Sequence, residues 1–425
     1  MKNYKKLIGI LTLFSITLTS LAQTSTNSPY TRYGFGQLEN QGFGSSKGMG
    51  GIGYGLRNGS QINVLNPASY SAVDSLTMLF DIGLGLQNTN FKEGSVQTNA
   101  KNSSLDYIAM QFRLMKNLGF TIGFLPYSTV GYSLANTKEI DKDDDGNSIN
   151  AINTYNGSGG LHQVFVGLGY EVFKNLSLGA NISYLYGDIN HSVTTTFNTA
   201  NAYTSAIIND ISVSDYKLDF GAQYSLNFNK SERINFGLYY SLGHDLNSTY
   251  DLHRQVYISS SASAISDSTI TKKNAFSIPN TLGAGFTYVK DNKLTIGADY
   301  TFQKWSESKY DDIKGTYYSD LSRLSLGAEY IPNIYSRNYF NRIRYRIGAY
   351  ISNSYTKVNG NDAAKEYGVS AGLALPIFQS RSMLHISGQY IKVSPKVKGM
   401  LEENSLRLNV GITFNERWFM KYKVD

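Results

Sequence analysis

The feature that most constrains this chain is an alternation of apolar and polar residues with a period of two, which recurs from about Leu76 almost to the C-terminus. In one run Leu176, Leu178, Ala180, Ile182, Tyr184 and Tyr186 share a face opposite Ser177, Gly179, Asn181 and Ser183. Another sets Tyr216, Leu218, Phe220, Ala222, Tyr224 and Leu226 against Lys217, Asp219, Gly221, Gln223 and Ser225. The last clear run sets Leu406, Leu408, Val410, Ile412 and Phe414 against Arg407, Asn409, Gly411 and Thr413. Successive strand side chains point to opposite faces, so each run reads as a half-buried strand. Many reach the roughly 9–11 residues with which a tilted strand crosses a hydrocarbon layer.

About fourteen such runs are present, an even count of the kind outer-membrane barrels have. They fall at 76–91, 104–115, 118–135, 161–173, 176–190, 211–228, 233–247, 278–289, 293–305, 320–330, 343–356, 365–376, 382–394 and 404–414. Connections after even-numbered runs are tight, as at Lys116-Asn117 and Lys290 to Asn292, whereas 136–160, 191–210 and 248–277 read as long polar loops. Short periplasmic turns and long outside loops make this asymmetry in outer-membrane barrels. The even count places both chain ends in the periplasm, with the segment before the first strand arriving from that side.

The N-terminus supplies an address. Three lysines lie within Met1 to Lys6, an apolar stretch follows to Leu21, and Ser20-Leu21-Ala22 precedes Gln23 with small residues at the cleavage positions. This is a secretory signal over 1–22. After Ala22 no apolar run approaches spanning-helix length, so a membrane-embedded mature chain must cross as strands. Export, strand length and loop parity together weigh against a soluble sandwich or propeller. With no cysteine, disulfides and thiolate chemistry are excluded. The charges, 39 Lys+Arg and 32 Asp+Glu, are scattered rather than massed, so nucleic acid is not an expected partner.

With the apolar face assigned to lipid, the inward charges are Asp81, Arg113, Lys217, Asp219, Arg233, Asp299, Arg323, Glu329, Arg342, Arg344, Arg346, Glu366 and Arg407. Both signs occur, and a buried charge is costly unless paired, so internal ion pairs are expected, Asp299 with a neighbouring arginine among them. Glycines also crowd the inward face, Gly179, Gly221, Gly237, Gly327 and Gly348 for example. Strand-interior glycine often marks close approach of other backbone. Something therefore packs against the inner wall, and the stretch 23–75, too long for a leader and without a spanning strand, is the candidate plug. The organisation expected is a signal at 1–22, a hatch at 23–75, a barrel over 76–414, and a tail or extra strand at 415–425.

These residues resemble a known family. Gly48-Met49-Gly50-Gly51-Ile52-Gly53, followed by Asn66-Pro67-Ala68-Ser69-Tyr70 before the first strand, is similar to the hatch of the long-chain fatty acid transporter family of fourteen-stranded barrels, the FadL type. Phe124-Leu125-Pro126-Tyr127-Ser128, Gly157-Ser158-Gly159-Gly160-Leu161, Ile278-Pro279-Asn280-Thr281-Leu282-Gly283, Lys304-Trp305 and Glu366-Tyr367-Gly368 resemble its Bacteroidetes-type branch. The resemblance implies an all-β antiparallel transmembrane barrel in a Gram-negative outer membrane, a hatch in its lumen, a hydrophobic ligand site reached from outside and lateral exit through the wall. Its hatch motif maps to Gly48, Gly50, Gly51, Asn66, Pro67 and Ala68.

Other chemistry is sparse. Asp141, Asp143 and Asp145 before Gly146 match the opening of a calcium loop, but Ile152 stands where a bidentate glutamate belongs. Gly48 to Gly53 has no preceding strand and no nucleotide role. The five histidines stand far apart without a nucleophile motif, so neither an enzyme nor a cofactor is expected. Two functions remain. One is passive uptake of a hydrophobic or amphipathic small molecule through a hatch-gated lumen. The other is a non-transporting subunit of a multiprotein outer-membrane machine for secretion or barrel assembly, with other outer-membrane proteins as partners.

Overall fold

The computed structural model describes residues 26–142, 146–199, 202–258, 264–311, 313–314, 316–358, 360–377, 381–396 and 399–417. The stretch 1–22 expected to be a signal, Asp143, Asp145 and 418–425 lie outside these residues. Among the described residues no helix is long and apolar enough to cross a membrane.

Fourteen antiparallel strands close into a barrel. They are β1 Thr77–Glu93, β2 Val96–Met115, β3 Leu118–Lys142, β4 Ser148–Phe173, β5 Leu176–Phe197, β6 Tyr203–Asn227, β7 in two segments Glu232–Ser241 and Ser248–Ile258, β8 likewise Ala264–Lys273 and Thr281–Lys290, β9 Leu294–Gln303, β10 Leu321–Tyr330, β11 Arg344–Asn353, β12 Ala364–Pro376, β13 Met383–Pro395 and β14 Glu402–Arg417. The last pairs back onto the first, from Thr77 with Arg417 to Lys92 with Glu402, leaving no open edge at the seam. The alternation fixes the register, because a slip of one residue would turn every polar side chain to lipid. Leu178, Ile182, Phe220, Leu238, Phe286, Leu326 and Leu408 accordingly stay exposed on the outside, while their neighbours Ser177, Asn181, Asp219 and Asn409 are buried. A closed barrel with such an apolar belt is the architecture of Gram-negative outer membranes.

The tight turns follow the sequence reading. Asn117, Asn175 and Asn292 take positive φ values of 66°, 73° and 51°, a conformation that asparagine tolerates better than most residues. The long polar connections are different. Residues at 136–160 and 191–210 are largely strand: β3 and β4 pair out to Lys142 and Ser148, and β5 and β6 pair from Leu176 with Tyr224 to Thr195 with Ser205. Polarity suggested loops there, but a ladder held by backbone hydrogen bonds needs no apolar face when both sides meet water. The barrel is thus uneven, with β3 and β4 of 25 and 26 residues opposite β9 to β11 of 10 residues each.

An irregular line crosses the tall side. The β3–β4 register shifts between Pro126 and Ser128, since proline has no N–H to give a ladder. In adjacent strands Gly160 and Gly187 take φ values of 151° and 147°, which L side chains rarely adopt. Beyond it, β7 and β8 each break, with His244–Asp245 pairing Ser277–Ile278 across the interruption. From this line outward the buried inward side chains are mostly apolar, with His191 and Thr204 among the polar exceptions.

The hatch occupies the lumen. Its one-turn helix spans Gly44–Lys47, and a 3-10 turn spans Pro67–Ala72 with Asn66 as N-cap and proline at the first position. It meets β1 at the periplasmic end, yet its first residues lie at the other end. The Tyr30 hydroxyl donates to the Leu401 carbonyl in the outer β13–β14 connection, at 2.7 Å. Strand parity suggests that the whole segment comes in from the periplasm, but parity fixes only where β1 begins; the described hatch descends from the outer to the periplasmic end, a tertiary result.

Candidate functional site

The lumen is where the inward residues act, and the hatch touches the wall there through backbone. Asn66 shows how. Its Oδ1 accepts the Ala68 N–H at 3.1 Å, while its Nδ2 lies 2.9, 3.1 and 3.2 Å from the carbonyls of Tyr54, Ala222 and Leu238, so one amide ties the hatch to β6 and β7. Pro67 and Ala68 press on β5, where a Cβ on Gly179 would come within 2.3 Å of hatch backbone. The Tyr54 carbonyl lies where a Cβ on Gly237 would stand, 1.9 Å away. Gly50, at φ 68°, sits against β10 and β11, and its N–H donates to Ser370 Oγ at 3.0 Å. Gly48 and Gly51 flank this contact, facing Arg346 and Arg323.

Ion pairs hold the hatch at the depth of the membrane. Lys47 Nζ meets Asp106 at 2.5 Å, and Arg407 bridges Asp106 at 2.7 Å and Glu39 at 3.2 Å. Two hatch charges, Lys47 and Glu39, are thereby neutralised by β2 and β14. A second cluster belongs to the wall itself: Glu329 accepts from Arg344 at 3.0 Å and from Arg346 at 2.7 Å, and Arg346 also reaches His385 Nδ1 at 2.9 Å. Lys217 and Asp219 pair, with the Tyr239 hydroxyl donating to Asp219 at 2.7 Å. Breaking such buried pairs costs about 3–5 kcal/mol each, because one charge is left uncompensated.

The predicted inward charges distribute unevenly. Asp81, Lys217, Asp219, Asp299, Glu329, Arg344, Arg346 and Arg407 are buried in the lumen, and Arg323 stacks on the Tyr350 ring at 3.7 Å. Glu366 accepts the Tyr350 hydroxyl at 2.6 Å. Arg113 and Arg233 are half-buried near the periplasmic rim, bonded to Met115 O at 3.2 Å and Asn292 Oδ1 at 3.1 Å, and Arg342 lies on the β10–β11 connection. Asp299 departs from expectation. Its Oδ2 accepts the backbone N–H groups of Gly53 and Tyr54 at 2.5 and 2.8 Å, so hatch backbone stands where an arginine was expected.

Asp106, the hub of the hatch ion pairs, escaped the alternation. The β1–β2 register shifts between Gly83 and Leu84, so Asp106 is an extra residue and both it and Tyr107 turn inward. A bulge of this kind leaves no period-two trace. Among the described residues no group of three or more His, Asp or Glu is placed to hold a metal. Asp141 accepts the Lys142 N–H at 2.9 Å, while its suggested calcium partners Asp143 and Asp145 fall outside the described residues.

Above the charged level lies a dry core. Phe35 from the hatch packs with Phe276 and Trp305 at ring-centroid distances of 5.9 and 6.2 Å, and Trp305 with Tyr318 and Tyr355 at 5.0 and 4.6 Å. Val130, Leu161, Leu185, Ile189, Ile211 and Val213, which border the irregular line or lie beyond it, complete it. Between the two levels remains a cavity of ≈ 290 Å³, lined by Leu38, Leu125 and Tyr127 but also by Lys217, Asp219, Arg323 and Glu366. Gln163 Oε1, Asn181 Oδ1 and Asp299 Oδ1 on its wall have no protein donor.

The wall itself is unzipped between β2 and β3. Pairing of β2 with β3 stops at Ile108 and Phe124, and above it the hatch takes over: Gln37–Leu38 pairs with Thr129 and Ser128, the Glu39 N–H donates to Tyr127 O at 3.0 Å, and the Gly131 N–H donates to Thr31 Oγ1 at 3.2 Å.

The BamG family model matches residues 4–425. The chain belongs to the BamG family. No curated protein matches its sequence. Among solved structures this BamG-family chain is similar to the CymD monoaromatic hydrocarbon channel, at 13% identity and a TM-score of 0.59 over 92% of this chain and 99% of that one. The toluene transporter TbuX of Ralstonia pickettii gives 14% identity and 0.56 over 89% and 99%, and a Pseudomonas aeruginosa FadL homologue 11% and 0.56 over 89% and 98%. Likenesses at such identities establish the FadL-type barrel fold that the sequence motifs suggested.

Proposed function

We propose that this BamG-family barrel is a non-conducting subunit of a multiprotein outer-membrane machine for protein secretion or barrel assembly. The observation that carries this reading is the double closure of the lumen. A hydrophobic solute entering from outside would first have to part the core around Phe35 and Trp305, both wholly buried. It would then meet a cavity walled in part by charged and hydrogen-bonding groups, where apolar ligand sites are mostly apolar with a few polar groups. Membership of the BamG family supports the same reading.

A second reading rests on a different observation. The unzipped β2–β3 wall beside the cavity supports passive uptake of a hydrophobic or amphipathic small molecule, with the hatch segment 27–39 as the movable part, and the channel-like fold agrees with it. Extraction of the outer membrane in mild detergent and purification through a tag on the full chain separates the two. A stoichiometric complex with other outer-membrane proteins is expected for a machine subunit. A solitary barrel whose expression speeds entry of a labelled apolar solute would overturn that reading in favour of uptake.

A further inference from the structure

The periplasmic turns of this barrel are tight, with one exception. From Ile331 to Ile343 the β10–β11 connection is the longest at that end among the described residues, and it holds Ile334, Tyr335, Tyr339 and Phe340 in the open, Tyr335 at 93% and Phe340 at 67% exposure. Loops that merely link strands do not present such side chains without cause.

The loop is also built. The Asn333 N–H donates to the Asn341 carbonyl at 2.8 Å, closing it, and the Asn333 and Asn338 side chains accept the N–H groups of Tyr335 and Phe340, both at 3.0 Å. Its aromatics are therefore held out by structure rather than left out by disorder. Two further bonds fix where it stands. The hydroxyl of Tyr345, an outward-facing residue at the periplasmic end of β11, donates to the Phe340 carbonyl at 3.1 Å, and that of Tyr339 donates to Pro376 O at the end of β12, also at 3.1 Å. The aromatic segment thus leans on the outside of the wall, continuous with the lipid-facing belt.

Its charge has one sign. Between Ile331 and Ile343 stand Arg337 and Arg342 and no carboxylate. Arg337 is exposed, and the Arg342 guanidinium lies 5.6 Å from the Tyr339 ring centre with its Nε buried and without an acceptor. Apolar rings at the membrane edge with unpaired guanidinium groups beside them are what an anionic headgroup and its upper acyl chain require.

We propose that the β10–β11 loop is an interfacial foot that binds acidic phospholipid of the periplasmic leaflet, Arg337 and Arg342 taking the phosphate while Tyr335, Tyr339 and Phe340 enter the headgroup layer. A protein partner would not need the loop to continue the lipid belt.

The test uses the full chain in detergent, with dioleoyl phosphatidylglycerol and dioleoyl phosphatidylcholine as probes and retained lipid counted by native mass spectrometry. The protein is expected to retain phosphatidylglycerol about tenfold better. Arg337→Gln with Arg342→Gln should bring the ratio near one, and Tyr335→Ser with Phe340→Ser should lower retention of both lipids. Heat-modifiable gel mobility reports that each variant barrel is folded; Arg337→Gln alone, at an exposed site, serves if the double variant is not. Equal retention of the two lipids by the unmodified protein, or an unchanged preference in the arginine variant, overturns the proposal. So does loss of a co-purifying protein with lipid preference intact, which would make the loop a protein contact.

Discussion

The two levels of the lumen are closed by opposite means. At the outer end, strand extensions and loops from many parts of the chain bury Phe35, Phe276, Trp305, Tyr318 and Tyr355 against one another, as in the core of a water-soluble domain. At membrane depth the hatch is held by hydrogen bonds and ion pairs through a wall of glycines, with Asp106 and Asp299 as acceptors. The difference follows from what lies outside each level. Where the wall faces lipid, its outer face is already apolar and its inner face must be polar to fix the register; above the membrane both faces meet water, and burying an apolar inner face becomes the favourable choice.

Substitutions can break this comparison. Gly237→Val should have the largest effect, since a side chain there occupies the place of the Tyr54 carbonyl. The hatch is expected to leave its seat, which limited proteolysis of the detergent-solubilised protein would register as cleavage between 26 and 75; continued protection would show the seat to be pliable. Asp106→Asn leaves Lys47 and Arg407 facing a neutral amide, and should destabilise by about 3–5 kcal/mol in urea unfolding. Its effect belongs to the hatch, so proteolytic release should accompany it.

Trp305→Ala attacks the other level. Removing a wholly buried indole should cost about 3–5 kcal/mol, and the near-ultraviolet circular dichroism of the tyrosine-rich cap should be lost at lower urea while the hatch stays protected. Loss of both together would mean that the two closures form one cooperative unit. Asp299→Asn keeps the shape but weakens two charge-assisted hydrogen bonds, for an expected loss of about 1.5–3 kcal/mol in the same unfolding assay. The smallest effect is expected for Glu402→Gln, whose partner Lys392 is exposed on the outer wall; the unfolding midpoint should not move, with or without molar salt.

Legibility in the sequence followed the same division. Each of the fourteen alternating runs overlaps a barrel strand, because lipid outside and polar groups inside write a period of two into the chain. The inward glycines announced that backbone approaches the wall, and Gly179, Gly237 and Gly348 do lie against hatch backbone. The outer core was not legible. Leu185 and Val213 lie within alternating runs of the sequence, yet each turns an apolar side chain inward, against the facing rule that holds below. Asp106 was hidden by a bulge, and Glu39 and Lys47 by lying in a segment without periodicity.

By itself the sequence determined a closed barrel of about fourteen strands with its polar face inward, since the solvent on either side of the wall acts on every residue locally. Only the tertiary structure decided how that barrel is filled. Which carboxylate meets which cation, where the hatch begins, and that an aromatic core closes the outer end all depend on contacts between residues hundreds of positions apart, and no local pattern records them.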